Sequence, residues 1–336
     1  MPRKSSDIEM RLRVFGAMLA IAIVLAGASL AGCSRNHGGA PTSDAVQSRT
    51  SQQAQDIASS HDTGPVTLIV DDPTCGQIRE ISDSIRPTLE SLDKFDSQIP
   101  ASQWTDSRRS RYQEALGQLN TAADKYLQIA KQTPSRVMRE LYLQSVAYYQ
   151  AFVTRIDSYV PETHNIALAA RYYVETIEYI CSAEFATEER KDDQRSVDPG
   201  PIAAPSITEA AIPQVLMKEP DPVCPAWIDS MERSELEIQA WRRGFDPSLP
   251  AGTWPEPQRN LMASAKPVFQ QEINKMNTSL KTVSNPTLRD LTALSSLYLS
   301  TFIAWSDTYV PQDMWLYNTA ISLRNAIATS CQCQLN

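Results

Sequence analysis

Histidine is almost missing from this chain: three residues in 336, His37, His61 and His164. That scarcity excludes an HExxH zinc site and the paired ExxH of di-iron bundles. A histidine-dependent active site would have to be built on His164 alone. No GxGxxG, Walker or GxSxG pattern occurs, which removes the motif grounds for a nucleotide-binding protein or an α/β-hydrolase. A hydrolase using His164 with Asp157 is therefore a distant third reading, and His164 is expected to be a surface residue capping a helix. Cys331 and Cys333 are too few and too close to hold a metal, and Glu175 and Glu178 read as a solvated acidic face. No cofactor or metal is expected. Positive charge is also in deficit, with 31 Lys and Arg against 39 Asp and Glu for a net charge of −8. An acidic body has no electrostatic route to nucleic acid or to anionic headgroups.

After residue 32 no long apolar run occurs, but before it there is one. Residues 1 to 13 carry Arg3, Lys4, Arg11 and Arg13, and VFGAMLAIAIVLAGASLAG follows without a charge. These are the charged n-region and apolar h-region of an export signal. The run ends in Leu30-Ala31-Gly32-Cys33, which resembles the lipobox of bacterial lipoproteins, and with the helical body described below it resembles an actinobacterial-type lipoprotein. The resemblance covers the first 33 residues. It implies that the Cys33 thiol carries diacylglycerol, that a signal peptidase removes residues 1–32, and that the protein sits on the extracytoplasmic face of the cell membrane. An uncleaved transmembrane anchor is the other reading, since about 19 apolar residues just span a bilayer. Removing the signal, with its four basic and two acidic side chains, leaves the remainder at −10.

Residues 33–70 are mostly Ser, Gln, Thr, Ala and Gly and read as a flexible tether. Residues 188–220 begin with EERKDDQR, continue through Pro199, Pro201, Pro205 and Pro213, and read as a charged, Pro-rich linker. On either side of that linker the chain repeats itself at a period near 150. DPTC at 72–75 answers DPVC at 221–224, and IPASQW ending at Trp104 answers LPAGTW ending at Trp254. Arg139, Tyr148, Phe152 and Cys181 answer Arg289, Tyr298, Phe302 and Cys331, and DSYVP at 157–161 answers DTYVP at 307–311.

Each copy carries helical periodicity and little strand alternation. Met138, Leu141, Tyr148, Phe152 and Tyr159 form one stripe, matched by Leu288, Leu291, Tyr298, Phe302 and Tyr309. The expected fold is all-α: two tandem up-down-up-down four-helix bundles, residues 71–187 and 221–336, from an internal duplication. In such a bundle the start of helix 1 and the end of helix 4 share an end. Cys75 then reaches Cys181 and Cys224 reaches Cys331, closing each bundle by a disulfide, as an oxidising compartment favours. Cys333 remains, as a free thiol, a substitute for Cys331, or a link to another molecule.

The repeated phrase should end helix 3 at Val160 and Val310, because proline disfavours helix in the residue before it. Pro161 and Pro311 suit the first turn of helix 4, and Tyr159 and Tyr309 should be the last core residues of helix 3. Asp157 and Asp307 are expected to fold back onto the free amides of helix 4. The same four residues are the candidates for a ligand role if that turn binds something. Pro267, inside the helix 2 pattern of the second copy, predicts a kink that opens space there alone.

These features point to a non-enzymatic envelope lipoprotein that binds an envelope component or partner protein through its bundles. The alternative is a carrier or sensor of a small apolar or amphipathic ligand held between helices. A scaffold should have filled cores, whereas a carrier should have a lined cavity.

Overall fold

The computed structural model describes residues 57–92, 96–185, 196–197, 213–218 and 221–333. The signal, Cys33, the tether up to residue 56 and most of the 188–220 linker lie outside the described residues. Among the described residues no helix is long and apolar enough to cross a membrane.

The first copy comprises α1 (Cys75–Leu92), α2 (Asp106–Ile129), α3 (Arg136–Val153) and α4 (His164–Cys181). The second comprises α5 (Cys224–Glu237) with its short extension α6 (Gln239–Gly244), α7 (Glu256–Ser279), α8 (Pro286–Trp305) and α9 (Met314–Gln332). Side-chain oxygens cap several helices by accepting from free amides: Thr105 from Arg108 N at 3.2 Å, Ser135 from Met138 N at 3.2 Å and Asn285 from Leu288 N at 3.1 Å. DPxC is a start signal of the same kind. Asp72 Oδ1 accepts from Thr74 N and Asp221 Oδ1 from Val223 N, both at 2.9 Å, which delivers the following cysteine to the first turn.

Within each copy, consecutive helices pack on one another and the first touches the last. The chain joins Cys75 to Cys181 and Cys224 to Cys331 across sequence separations of 106 and 107. Cys333 is free and buried, its Sγ 3.2 Å from the Thr329 carbonyl, and burial pushes its thiol up to about 12.

The copies do not stand apart as two closed bundles. The most extensive helix packing in the described chain is between α4 and α9, the last helices of the two copies, and α3 also packs on α8. A single apolar core runs through both. Its seam is polar at chosen points: Tyr173 Oη lies 3.0 Å from Ser330 Oγ, and Ser322 Oγ donates to the Tyr172 carbonyl at 3.1 Å. Helices 3 and 4 therefore bury faces that an isolated four-helix bundle would leave wet, which explains why Arg136 to Tyr148 and Leu288 to Leu299 are buried almost without interruption.

The segments read as tether and linker are partly built into this body. In residues 57–70, Ile57, Val66, Leu68 and Ile69 are buried, and Tyr298 Oη donates to the Ile69 carbonyl at 2.7 Å. β1 (Val66–Thr67) pairs antiparallel with β2 (Ser196–Val197), drawn from the linker. Leu216 and Met217 are buried as well, the Leu216 carbonyl accepting from Asn285 Nδ2 at 2.8 Å and the Gln214 carbonyl from Gln144 Nε2 at 2.9 Å. The tether expectation thus fails from Ile57 onward. Composition was low in apolar residues, but the few present are the ones that dock.

Candidate functional site

The repeated phrases lock onto each other. Tyr159 Oη donates to the Ser97 carbonyl and Tyr309 Oη to the Pro247 carbonyl, both at 2.7 Å. In return the Ala101 amide donates to the Tyr159 carbonyl at 2.9 Å, and the Ala251 amide to that of Tyr309 at 2.8 Å. Trp104 and Trp254 stack against the same tyrosines, with centroids 5.4 and 5.6 Å apart, and their indoles donate to Ile99 and Leu249. YVP and PAxxW recur together because they form one clamp at one end of each copy.

Three details of that turn differ from expectation. Helix 3 ends at Val153 and at Trp305, short of the tyrosines, and two 3-10 turns carry the chain from there to helix 4. Asp157 and Asp307 are exposed and cap nothing: the Asp307 carboxylate pairs instead with Lys266 Nζ at 2.6 Å. The caps are Thr163 and Asp313, whose side chains accept from Val160 N at 3.3 Å and Val310 N at 2.9 Å. A residue three places after the turn reaches back more directly than one three places before it. The clamp therefore accounts for Tyr159 and Tyr309 structurally, and the aspartates face solvent. His164 is also corrected, because it is buried and neither ring nitrogen meets a protein partner. Burial, with Arg171 nearby, holds its pKa below the ordinary value. An inaccessible, neutral imidazole gives no support to a hydrolase. Among the described residues no group of three or more His, Cys, Asp or Glu could hold a metal ion.

The opening that sequence reasoning left to structure lies in the second copy. A cleft of about 840 Å³ separates α5 from the second half of α7, with its α7 wall beginning at Gln271, one turn after Pro267. Trp227, Met231 and Met276 supply its apolar floor, Ser230, Asn274, Thr278 and Thr282 uncharged polar walls, and Asp229, Arg233 and Lys275 charge. A buried ionic network reaches the cleft through Glu272 and Arg324. Arg324, its side chain 2% exposed, reaches from α9 to Glu272 Oε1 at 3.0 Å and to Glu235, which also pairs with Arg242. Ser234 Oγ donates to Glu272 Oε2 at 2.9 Å. Burial opposes ionisation of Glu235, but Arg324 and Arg242 outweigh it and hold that carboxyl below its usual range.

Among the described residues, the matching positions of the first copy carry no such ionic network. Glu272, Arg324 and Glu235 correspond to Ala122, Val174 and Arg86, while Trp227, Ser230 and Ser234 correspond to Ile78, Ile81 and Ile85. Those three isoleucines are buried, and Gln77 Nε2 donates to Gln132 Oε1, in the turn after α2, at 2.9 Å. Ala226 and Thr282, the counterparts of that glutamine pair, line the cleft. Glu272 and Arg324 are thus charged at positions that are apolar in the first copy, a signal already present in the sequence.

Residues 57–335 match the family described as Mycobacterial ESX-1 associated protein. This chain belongs to that family. The match takes in both copies, the leading segment from Ile57 and the cleft. An uncharacterized protein of Mycolicibacterium smegmatis (strain MKD8) is 30% identical over 284 residues, which is 84% of this chain and 75% of the relative. No solved structure matches. The ESX-1-associated family description names no enzyme.

Proposed function

We propose that this chain is a lipid-anchored, extracytoplasmic, non-enzymatic lipoprotein of the mycobacterial envelope that serves an ESX-1-related secretion role by binding a partner protein in the cleft of its second copy. The observation that carries the reading is the difference between the copies. One duplicated unit has been kept as a closed scaffold, and the other holds an aromatic and methionine floor open over a buried Arg–Glu network. Buried ion pairs are weak sources of stability, so a network found in only one copy is better explained by the cleft it supports than by folding. Methionine side chains adapt to irregular apolar partners, which suits a protein-binding floor. The export signal, the lipobox at Cys33 and the two disulfides support placement outside the cytoplasm.

The test fills the cleft without touching its network. Ala226→Trp in the full chain, produced in a mycobacterium, should leave the melting temperature within a few degrees of the parent and should abolish the chain's support of ESX-1 secretion. The matching change in the first copy, Gln77→Trp, should leave secretion intact. Normal secretion with a filled cleft would sink the reading.

The cleft volume also favours a second reading, that of a carrier, because about 840 Å³ falls within the range of small-ligand pockets. Native mass spectrometry distinguishes the two. A bound small mass lost on denaturation supports a carrier, and a bare protein supports the partner reading.

A further inference from the structure

A second cluster of buried charge lies far from the clamp and belongs to neither copy alone. The first turns of α3 carry Arg136, Arg139 and Glu140, and the first turn of α8 carries Arg289 and Asp290. Arg136, its side chain 5% exposed, donates from Nε to Asp290 Oδ2 at 2.7 Å across the seam between the copies. Its remaining donors hold the leading segment: Nη1 meets the Asp62 carbonyl at 2.7 Å, and both Nη atoms meet the Gly64 carbonyl at 3.2 Å. The Arg136 amide donates to Asp62 Oδ2 at 2.6 Å. Arg139 reaches Ser59 of the same segment. One guanidinium thus ties the leading segment to both copies at once.

Glu140 is the member of this cluster that is not tied. It is 3% exposed and neither carboxyl oxygen meets a protein donor, one turn along α3 from Arg136. A buried carboxylate without hydrogen bonds is costly, so such a group keeps its proton. Burial, reinforced by the charge of Asp290, raises its pKa well above the ordinary value, against the pull of Arg136 and Arg139, with Asp62 adding to the rise. Asp290 is itself raised by burial, while Arg136 draws it back.

We infer that Glu140 is a protonation-dependent latch for the leading segment: residues 57–70 stay docked across the two copies while Glu140 is neutral, and loosen when it ionises. The mechanism is competition for one cation. Ionised Glu140 places a second buried negative charge beside Asp290 and competes for an Arg136 whose donors are already committed to Asp62, Gly64 and Asp290. Water reaches the new charge by parting the leading segment, which only Arg136 and Arg139 of the cluster hold by the hydrogen bonds above. The direction follows from linkage. A carboxyl whose folded pKa is raised favours the docked form below its ordinary pKa, and that advantage is lost as pH rises toward the raised value. Because the leading segment joins the body to residues 33–56, the latch would, if the proposed lipid anchor at Cys33 holds, set how far the body is free of the membrane. It operates whatever occupies the cleft.

Hydrogen exchange on the intact mature chain at pH 5 and pH 8, corrected for intrinsic rates, tests the inference. Amides of 57–70 should lose about tenfold or more protection at the higher pH, as a segment that opens locally does, while those of α9 stay unchanged. Glu140→Gln, which fixes the neutral form, should abolish the difference. An unchanged wild-type leading segment, or the same loss in Glu140→Gln, would overturn the latch. Should the variant not fold, carboxyl carbon-13 NMR of the unaltered chain decides the matter. A Glu140 signal that titrates where the segment loosens supports the inference, and one already ionised at pH 5 contradicts it.

Discussion

The first copy is zipped shut along α1 and α2 by Ile78, Ile81 and Ile85 under a Gln77–Gln132 bridge, and the second is held open along α5 and α7 over Trp227, Met231 and Met276. Both keep the same clamp, the same disulfide and the same helix 3 and helix 4 stripes. On the proposed reading, duplication has separated two tasks that a single bundle would have to share. The seam helices α3, α4, α8 and α9 supply a common core, and the peripheral helix pairs are free to diverge. The first pair packs on isoleucines; the second acquired the cleft and the ionic network beside it.

The most disruptive way to break the comparison is to cut the disulfides one at a time. In the chain-entropy account, closing a loop of about 100 residues stabilises by up to about 4–5 kcal/mol. Because α4 and α9 share one core, Cys75→Ser/Cys181→Ser and Cys224→Ser/Cys331→Ser should each lower the same single calorimetric transition. Two transitions, only one of them moved, would mean that the copies fold independently.

Next in size is the network. Arg324→Val alone strands Glu272 in the interior and should cost about 3–5 kcal/mol. Adding Glu272→Ala gives the second copy the Ala122 and Val174 of the first. The double variant should recover most of that loss, measured by chemical denaturation, because replacing a buried pair with apolar residues is often neutral or stabilising. The same network has a pH signature opposite to that of Glu140. Glu235 is held below the usual range, so its contribution is present above the ordinary carboxylate pKa and is lost as pH falls through the lowered one. Arg324→Val should flatten that acid limb.

The smallest effects lie at the turn. Thr163→Val and Asp313→Ala each remove a side-chain acceptor for a turn amide and should cost about 1 kcal/mol, the usual worth of such a cap. Asp157→Asn and Asp307→Asn should stay within about 0.5 kcal/mol, as for other exposed substitutions. Equal losses at Asp157 and Thr163 would restore the role that the exposed aspartate lacks in the structure.

What could be read beforehand was whatever recurs. Apolar spacing and the period near 150 located the helices, and the topology brought Cys75 to Cys181 and Cys224 to Cys331. The clamp was visible only as two recurring phrases, because nothing in YVP or PAxxW says that Tyr159 donates to a carbonyl 62 residues away. Burial of Ile57, Val66, Leu68 and Ile69 was hidden by the polar residues around them, since a composition window averages away a few anchors. The packing of α4 on α9 was hidden for a different reason. A helix that buries two faces shows its second face only weakly, and the alanines and serines there, such as Ala169, Ala326 and Ser330, read as neutral. The cleft was legible in part: Pro267 pointed to the right helix, while Glu272 and Arg324 become conspicuous only when set against Ala122 and Val174.

The central claim, that the second copy alone carries the binding face, is tested most directly by a photoreactive amino acid placed at Met231 in the full chain and, separately, at Ser82, its counterpart in the first copy. Illumination in a mycobacterium with an active ESX-1 system should give one discrete covalent adduct from position 231, absent in the Ala226→Trp background, and none from position 82. The same adduct from both positions, or one from position 231 that survives the filled cleft, would contradict the account.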